Sequence, residues 1–119
     1  IDLFSDHIDV WGTGEASREF LYVEDCADAI LKALELYDEP DPVNLGTGAE
    51  IKIKDLVKMI CDLMGYSGKV VFDSSKPDGQ PRRCLDTSLA EEKFGFVANT
   101  KLETGLSNTI GWFRECYQG

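Results

Sequence analysis

Asp55-Leu56-Val57-Lys58-Met59-Ile60-Cys61-Asp62-Leu63-Met64-Gly65-Tyr66-Ser67-Gly68-Lys69-Val70-Val71-Phe72 is the run that sets the architecture of this chain. Leu56, Val57, Ile60, Leu63 and Met64 fall on one helical face, and Gly65 stands where a left-handed residue closes a helix. Val70-Val71-Phe72 then has the composition of a short strand. Working upstream, Val43-Asn44-Leu45, closed by Gly46-Thr47-Gly48, is predicted as a short buried strand. Before it, Ala27, Ile30, Leu31 and Leu34 form the apolar stripe of a helix reaching about Tyr37, with Asp25 as its expected cap and Pro40 and Pro42 as its stop. Phe20-Leu21-Tyr22-Val23 is predicted as the preceding strand. Strand, helix, strand, helix, strand implies an α/β layer architecture in which parallel pairing is the expected order. Ile8-Asp9-Val10-Trp11 alternates as a further short strand ending at Gly12-Thr13-Gly14. The opening, Ile1 to Ile8, with Leu3 and Phe4 among acids, gives no single assignment.

Downstream, Ser88-Leu89-Ala90-Glu91 matches a capping box for a short helix ending at Phe94, before Gly95. Thr100-Lys101-Leu102-Glu103 repeats the signature, and Leu102, Leu106, Ile110, Phe113 and Tyr117 mark one face of a closing helix. Gly105 and Gly111 each weaken that helix by roughly 1 kcal/mol relative to Ala, so packing must hold it.

Length and charge narrow the function. At 119 residues, with 43% hydrophobic and 29% charged residues, this is one globular domain at most, or part of one. A net charge of −10 argues against a phosphate-backbone partner or an anionic membrane surface. No apolar run reaches the roughly 20 residues of a membrane span. Cys26, Cys61, Cys84 and Cys116 are too scattered for a zinc site, with His7 the sole histidine, and reduced thiols in a cytoplasmic protein are expected. The first residue, Ile1 rather than Met, suggests an excised piece or a renumbered chain.

Against that acidic background, Asp73-Ser-Ser-Lys76-Pro77-Asp78-Gly79-Gln80-Pro81-Arg82-Arg83 gathers three cations in a loop that Pro77, Gly79 and Pro81 keep out of helix. Lys76 suits a phosphate as a point charge, Arg82 or Arg83 as a bidentate fork, and Asp78 suits sugar hydroxyls. The competing reading is a turn with Asp78-Gly79 at its bend. A second cluster, Trp11-Gly12-Thr13-Gly14-Glu15-Ala16-Ser17-Arg18, offers an indole face and a guanidinium at a strand end. Here the competing reading puts Trp11 in the core and pairs Arg18 with Glu15 or Glu19. Gly12-Thr13-Gly14 has Ser17 where a dinucleotide fingerprint needs its third glycine. Gly46-Thr47-Gly48 lacks the Lys-Ser/Thr of a P-loop, and both read as turns. Together the two clusters suit a nucleotide-sugar diphosphate.

Val10-Trp11-Gly12-Thr13-Gly14 with Arg18-Glu19-Phe20-Leu21-Tyr22-Val23-Glu24-Asp25 resembles the VWGxG…REFLHVDD segment of extended short-chain dehydrogenase/reductases. Asn44-Leu45-Gly46-Thr47-Gly48 is similar to the N-x-G-T-G segment of the same superfamily. Val71 to Arg83 resembles the VFDxSKPDGxPRK run of the GDP-L-fucose synthases, and Leu102-Glu103-x-Gly105-Leu106 with Trp112-Phe113 fits their last helix. The chain departs from the pattern at Glu15-Ala16-Ser17, where proline often precedes the arginine, and at Tyr22, where histidine is usual.

The resemblance runs from about Val10 to Phe113 and covers the family's C-terminal, substrate-binding portion. It implies that residues 1–119 are a single partial domain, without the dinucleotide-binding domain and its Ser…Tyr-x-x-x-Lys group. No tyrosine here has a lysine four residues on. It implies further that Trp11, Arg18, Lys76, Asp78 and, more weakly, Arg82 grip a GDP-sugar. The parent enzyme would be an NADP-dependent GDP-4-keto-6-deoxymannose epimerase/reductase, reducing a C4 ketone after epimerisation at C3 and C5, and a cytoplasmic homodimer. The isolated chain is expected to bind no NADP(H) or metal, to hold no catalytic residue and to be inactive. The alternatives are the same region of a UDP- or dTDP-sugar epimerase or dehydratase, or a stand-alone module that binds nucleotide-sugars or a partner.

Overall fold

The computed structural model describes residues 4–117; Ile1 to Leu3, within the opening left unassigned above, lie outside them. In chain order the elements are β1 (His7–Trp11), β2 (Ser17–Arg18), α1 (Val23–Leu36), β3 (Ile51–Lys52), α2 (Ile53–Met64), β4 (Lys69–Asp73), α3 (Ser88–Phe94) and α4 (Leu102–Tyr117). β1 and β4 pair in parallel, His7 opposite Lys69 through Trp11 opposite Asp73. β2 and β3 form a short antiparallel pair. The parallel pair needs a long crossover, which β2, α1, β3 and α2 supply.

The helix in the opening stretch forms as its periodicity requires, and Gly65 closes it at φ +73°. Gly95 closes α3 in the same way. Two predicted strands do not form. Phe20 to Val23 and Val43 to Leu45 pair with no strand among the described residues, Val23 opening α1 instead, yet Leu21, Val43 and Leu45 still pack on the core. An apolar β-rich run reports burial; the ladder needs a neighbour.

The core itself is small. Ala29 and Ala90 are fully buried where α1 meets α3, beside Phe94 and Phe96. Burying a phenylalanine contributes about 1.5–3 kcal/mol, so this aromatic pair is a main source of stability. The α1 stripe expected inside lies outside: Ile30, Leu31 and Leu34 are exposed, Leu34 at 80%. The small face, Ala29 and Ala33, is the one that lets α3 and the residues after it approach. Similarly, Leu102, Leu106 and Ile110 of α4 are half-buried, but Phe113 and Tyr117 stack on each other near solvent.

The expected caps shift as well. α1 is preceded by Tyr22 with no side-chain cap. Asp25, buried in its first turn, instead accepts from the Thr100 amide at 3.0 Å and hydroxyl at 2.9 Å, tying the α4 entry to α1. Ser88 is the first residue of α3 rather than its cap, and its amide and hydroxyl donate to Asp86 Oδ1. All four cysteines are free thiols. No helix among the described residues is long and apolar enough to cross a membrane.

Candidate functional site

The carboxyl ends of parallel strands are where open α/β sheets place ligands, and β1 and β4 both run out at one such end. Beyond it the two chains continue side by side. Gly12 N donates to Asp73 O at 2.9 Å, and Ser17 N donates to Pro81 O at 3.0 Å. Arg83 N returns to Ser17 O at 3.3 Å, and Ser17 bridges to Arg82 in parallel. Residues 11–19 and 73–85 therefore form one continuous double track.

Trp11 ends β1 and is 71% exposed. The Lys76 ammonium sits 5.3 Å from its ring centroid, a cation–π contact. Asp73 shapes the turn that brings Lys76 there, its Oδ1 accepting from the Ser75 amide at 3.0 Å and hydroxyl at 2.5 Å. Lys76 pairs with no carboxylate among the described residues, leaving its charge facing solvent beside the indole.

Asp78 is latched to the opposite track. Oδ1 accepts from Thr13 N and Oδ2 from Thr13 Oγ1, both at 2.7 Å. The Thr13 hydroxyl, then its amide, hold the Asp78 carboxyl below its ordinary range. Gly12 (φ +91°) has to be glycine here: the conformation is left-handed, and a Cβ would collide with Asp78 Oδ1.

Arg18 is half-buried and pairs with neither Glu15 nor Glu19. Its Nη1 donates to Ser17 O and Gln80 O, each at 2.6 Å, so it supports the cationic loop from below. Arg82 turns to Glu50, with Nε at 2.8–2.9 Å from both carboxylate oxygens and Nη2 at 2.8 Å from Oε2. Ser17 Oγ donates to the same carboxylate at 2.8 Å. Arg82, then Ser17, lower the Glu50 pKa. Glu15 is engaged by Lys52 and Lys54, chiefly Lys52, which bring its pKa to about 2.

All five candidate residues thus gather on one double track. Two of them differ in role from the simplest reading of their chemistry. Asp78 and Arg82 spend their charged atoms on Thr13 and Glu50, fastening the loops, while Trp11 and Lys76 keep an open face. Thr13 and Glu50 were not singled out beforehand, and Glu19 was named only as a partner for Arg18. Nothing distinguishes those two glutamates among 22 acidic residues until the fold brings them to a cation or an amide cluster.

The NAD dependent epimerase/dehydratase family model matches residues 4–46. The probable GDP-L-fucose synthase 1 of Oryza sativa subsp. japonica is 43% identical over 89% of this chain and 32% of its own length. The GDP-L-fucose synthase of Escherichia coli K12 is 41% identical over 89% of this chain and 36% of its own. A crystal structure of a GDP-L-fucose synthetase from Naegleria fowleri bound to NADP superposes with a TM-score of 0.89 at 29% identity, covering 94% of this chain and 36% of that one. The chain spans about a third of the length of these curated relatives. In sequence and in fold, the chain is similar to about a third of the GDP-L-fucose synthases, and its residues 4–46 match the NAD dependent epimerase/dehydratase family.

Proposed function

We propose that the chain is the substrate-gripping portion of an NADP-dependent GDP-4-keto-6-deoxymannose epimerase/reductase. The observation that carries this is the double track, which sets an exposed indole, an ammonium paired with no carboxylate among the described residues and a half-buried guanidinium along one edge at the carboxyl end of β1 and β4. An aromatic face suits a planar base or sugar ring, and fixed cations suit a diphosphate. Trp11, Arg18 and Lys76 are the residues assigned to contact; Asp78 and Arg82 hold the loops that present them and are the second rank of contacts.

The residues present do not fit a dinucleotide. The first glycine turn packs on Asp78 at Gly12 and on Phe72 and Lys54 at Gly14, and the second is filled by the Glu19 carboxylate. The amides of the second turn are already engaged by Glu19, which supports assigning cofactor and proton transfer to a further domain; the 119 residues alone are expected to be inactive. That domain would cover the outward stripe of α1 and a groove of about 690 Å³ between Phe20–Val23 and α4. A cytoplasmic, homodimeric parent enzyme completes the reading.

The test is calorimetric titration with GDP-mannose, UDP-glucose and dTDP-glucose. The GDP-sugar should bind tightest, and Trp11→Ala and Lys76→Ala should each weaken it tenfold or more, about 1.4 kcal/mol. Preference for UDP- or dTDP-sugar would move the chain to another nucleotide-sugar enzyme. No binding of any of the three would overturn the reading.

A further inference from the structure

Glu19 follows Arg18 directly as the chain leaves β2, and it forms no ion pair among the described residues. Its carboxylate is nonetheless well met. Thr47 N donates to Oε2 at 3.0 Å, Gly48 N to the same oxygen at 2.9 Å, and Leu85 N to Oε1 at 2.6 Å. The Thr47 hydroxyl lies 3.4 Å away. Gly46 leaves the room: a Cβ there would stand 2.8 Å from Oε2. The Gly46-Thr47-Gly48 turn, with its two inward amides, has the shape of an anion nest, and the anion it holds is the protein's own.

The location gives this contact its consequence. Leu85 lies just past the cationic run, whose earlier residues are fastened by Arg18 at Gln80 and by Ser17 at Pro81 and Arg83. Glu19 is the last fastening of the double track and, with the Arg82–Glu50 and Ser17–Glu50 contacts, ties it to the loop before β3. Without it the Leu85 amide would lose its acceptor, and the stretch beyond the Arg82–Glu50 pair would lose its tie to the Gly46–Gly48 turn.

We propose that Glu19 is a positioning residue for the anion-binding edge: its carboxylate, clasped by the Gly46–Gly48 turn and by Leu85 N–H, fixes the C-terminal end of the cationic loop. The loop effect is a property of the free protein; the affinity effect rests on the function proposed above.

The experiment is Glu19→Gln, which keeps the size but turns an amide N–H₂ toward donors. Hydrogen exchange without ligand should accelerate at least tenfold at Thr47, Gly48, Leu85 and Arg83, while the α2 amides keep their protection. GDP titration of the same variant should show a dissociation constant raised at least tenfold, with the bound-state heat recovered at saturation. Unchanged exchange at Arg83 and Leu85 would overturn the proposal, as would faster exchange there with GDP affinity within twofold of the parent. A uniform loss of protection that includes α2 would also overturn it, by showing general destabilisation. If the parent protein binds no GDP, the function fails and exchange in the free protein alone decides the positioning role. If the variant does not fold, the parent decides: added GDP should slow exchange at Thr47, Gly48 and Leu85, and no slowing would reject the proposal.

Discussion

Single side chains divide here into those that present a surface and those that hold it. Trp11 and Lys76 present, while Thr13, Asp78, Glu50 and Arg82 hold, and the division is electrostatic. The depressed carboxyls give it a pH signature. Glu15 has an ordinary value of 4.5 and about 2 in the fold, because Lys52 and Lys54 bond its charged form. Asp78 and Glu50 shift in the same direction. A depressed folded pKa means that the unfolded chain takes up protons first as pH falls, so the stabilisation is complete above about pH 4.5 and is lost towards about pH 2. The thermal midpoint should be level from about pH 5.5 to about 8 and fall steadily below about 4.5, with Glu15→Gln showing a shallower fall. A Glu15→Gln profile parallel to that of the parent down to pH 2.5 would show that the two lysines do not set this dependence. What the sequence displayed at this scale was residue type: an indole and cations beside glycine turns. It could not display partners, because Thr13 and Asp78 are 65 positions apart and meet only once β1 and β4 are in register.

Among the elements, α4 shows most clearly how packing modifies propensity. Both of its glycines were expected to cost helix stability, but their surroundings differ. A Cβ on Gly105 would stand 3.2–3.3 Å from the Tyr22 side chain, whereas Gly111 has nothing within 4 Å. Gly111→Ala should therefore gain about 1 kcal/mol, and Gly105→Ala should gain little or lose stability as Tyr22 is pushed aside. Equal gains in denaturant midpoint for the two would contradict the packing of α4 on Phe20–Val23. Helices were legible because 3.6-residue periodicity and glycine caps are local; α2 ends at Gly65 as read. The short strands were not, since pairing is decided elsewhere in the chain. β3 occupies Ile51–Lys52 and not Val43–Leu45, and β2 takes Ser17–Arg18 because Arg18 and Ser17 lie opposite β3.

The molecule as a whole is a slab of 52 × 36 × 18 Å with a radius of gyration of 17.0 Å. A self-contained globule of this length has about 13–14 Å. Its accessible surface of 8331 Å² exceeds the roughly 6400 Å² expected of a compact monomer of this mass. Large apolar side chains are among what is exposed: Val23, Ile30, Leu31 and Leu34 form one stripe on α1, and Phe20 and Trp112 share a groove with Val23. Contiguous apolar surface of this kind marks an interface. Expressed by itself, the chain should self-associate at micromolar concentration, and Leu31→Glu with Leu34→Glu should return it to monomer by sedimentation velocity. A monodisperse parent chain would remove the argument for a covering domain. The stripe was visible in the sequence as a helical face, but its direction was not: the paired alanines of α1 and α3 took the inner side, and only the fold shows which face a helix gives up.

The most direct test of the proposed substrate grip follows the two tryptophans, Trp11 and Trp112, through their indole N–H resonances during titration with a GDP-sugar. Trp11 stands beside Lys76 on the double track, and Trp112 lines the apolar groove by α4. The Trp11 signal should shift and saturate with ligand while the Trp112 signal stays in place. Movement of Trp112 alone, or of neither resonance at saturating ligand, would contradict the account.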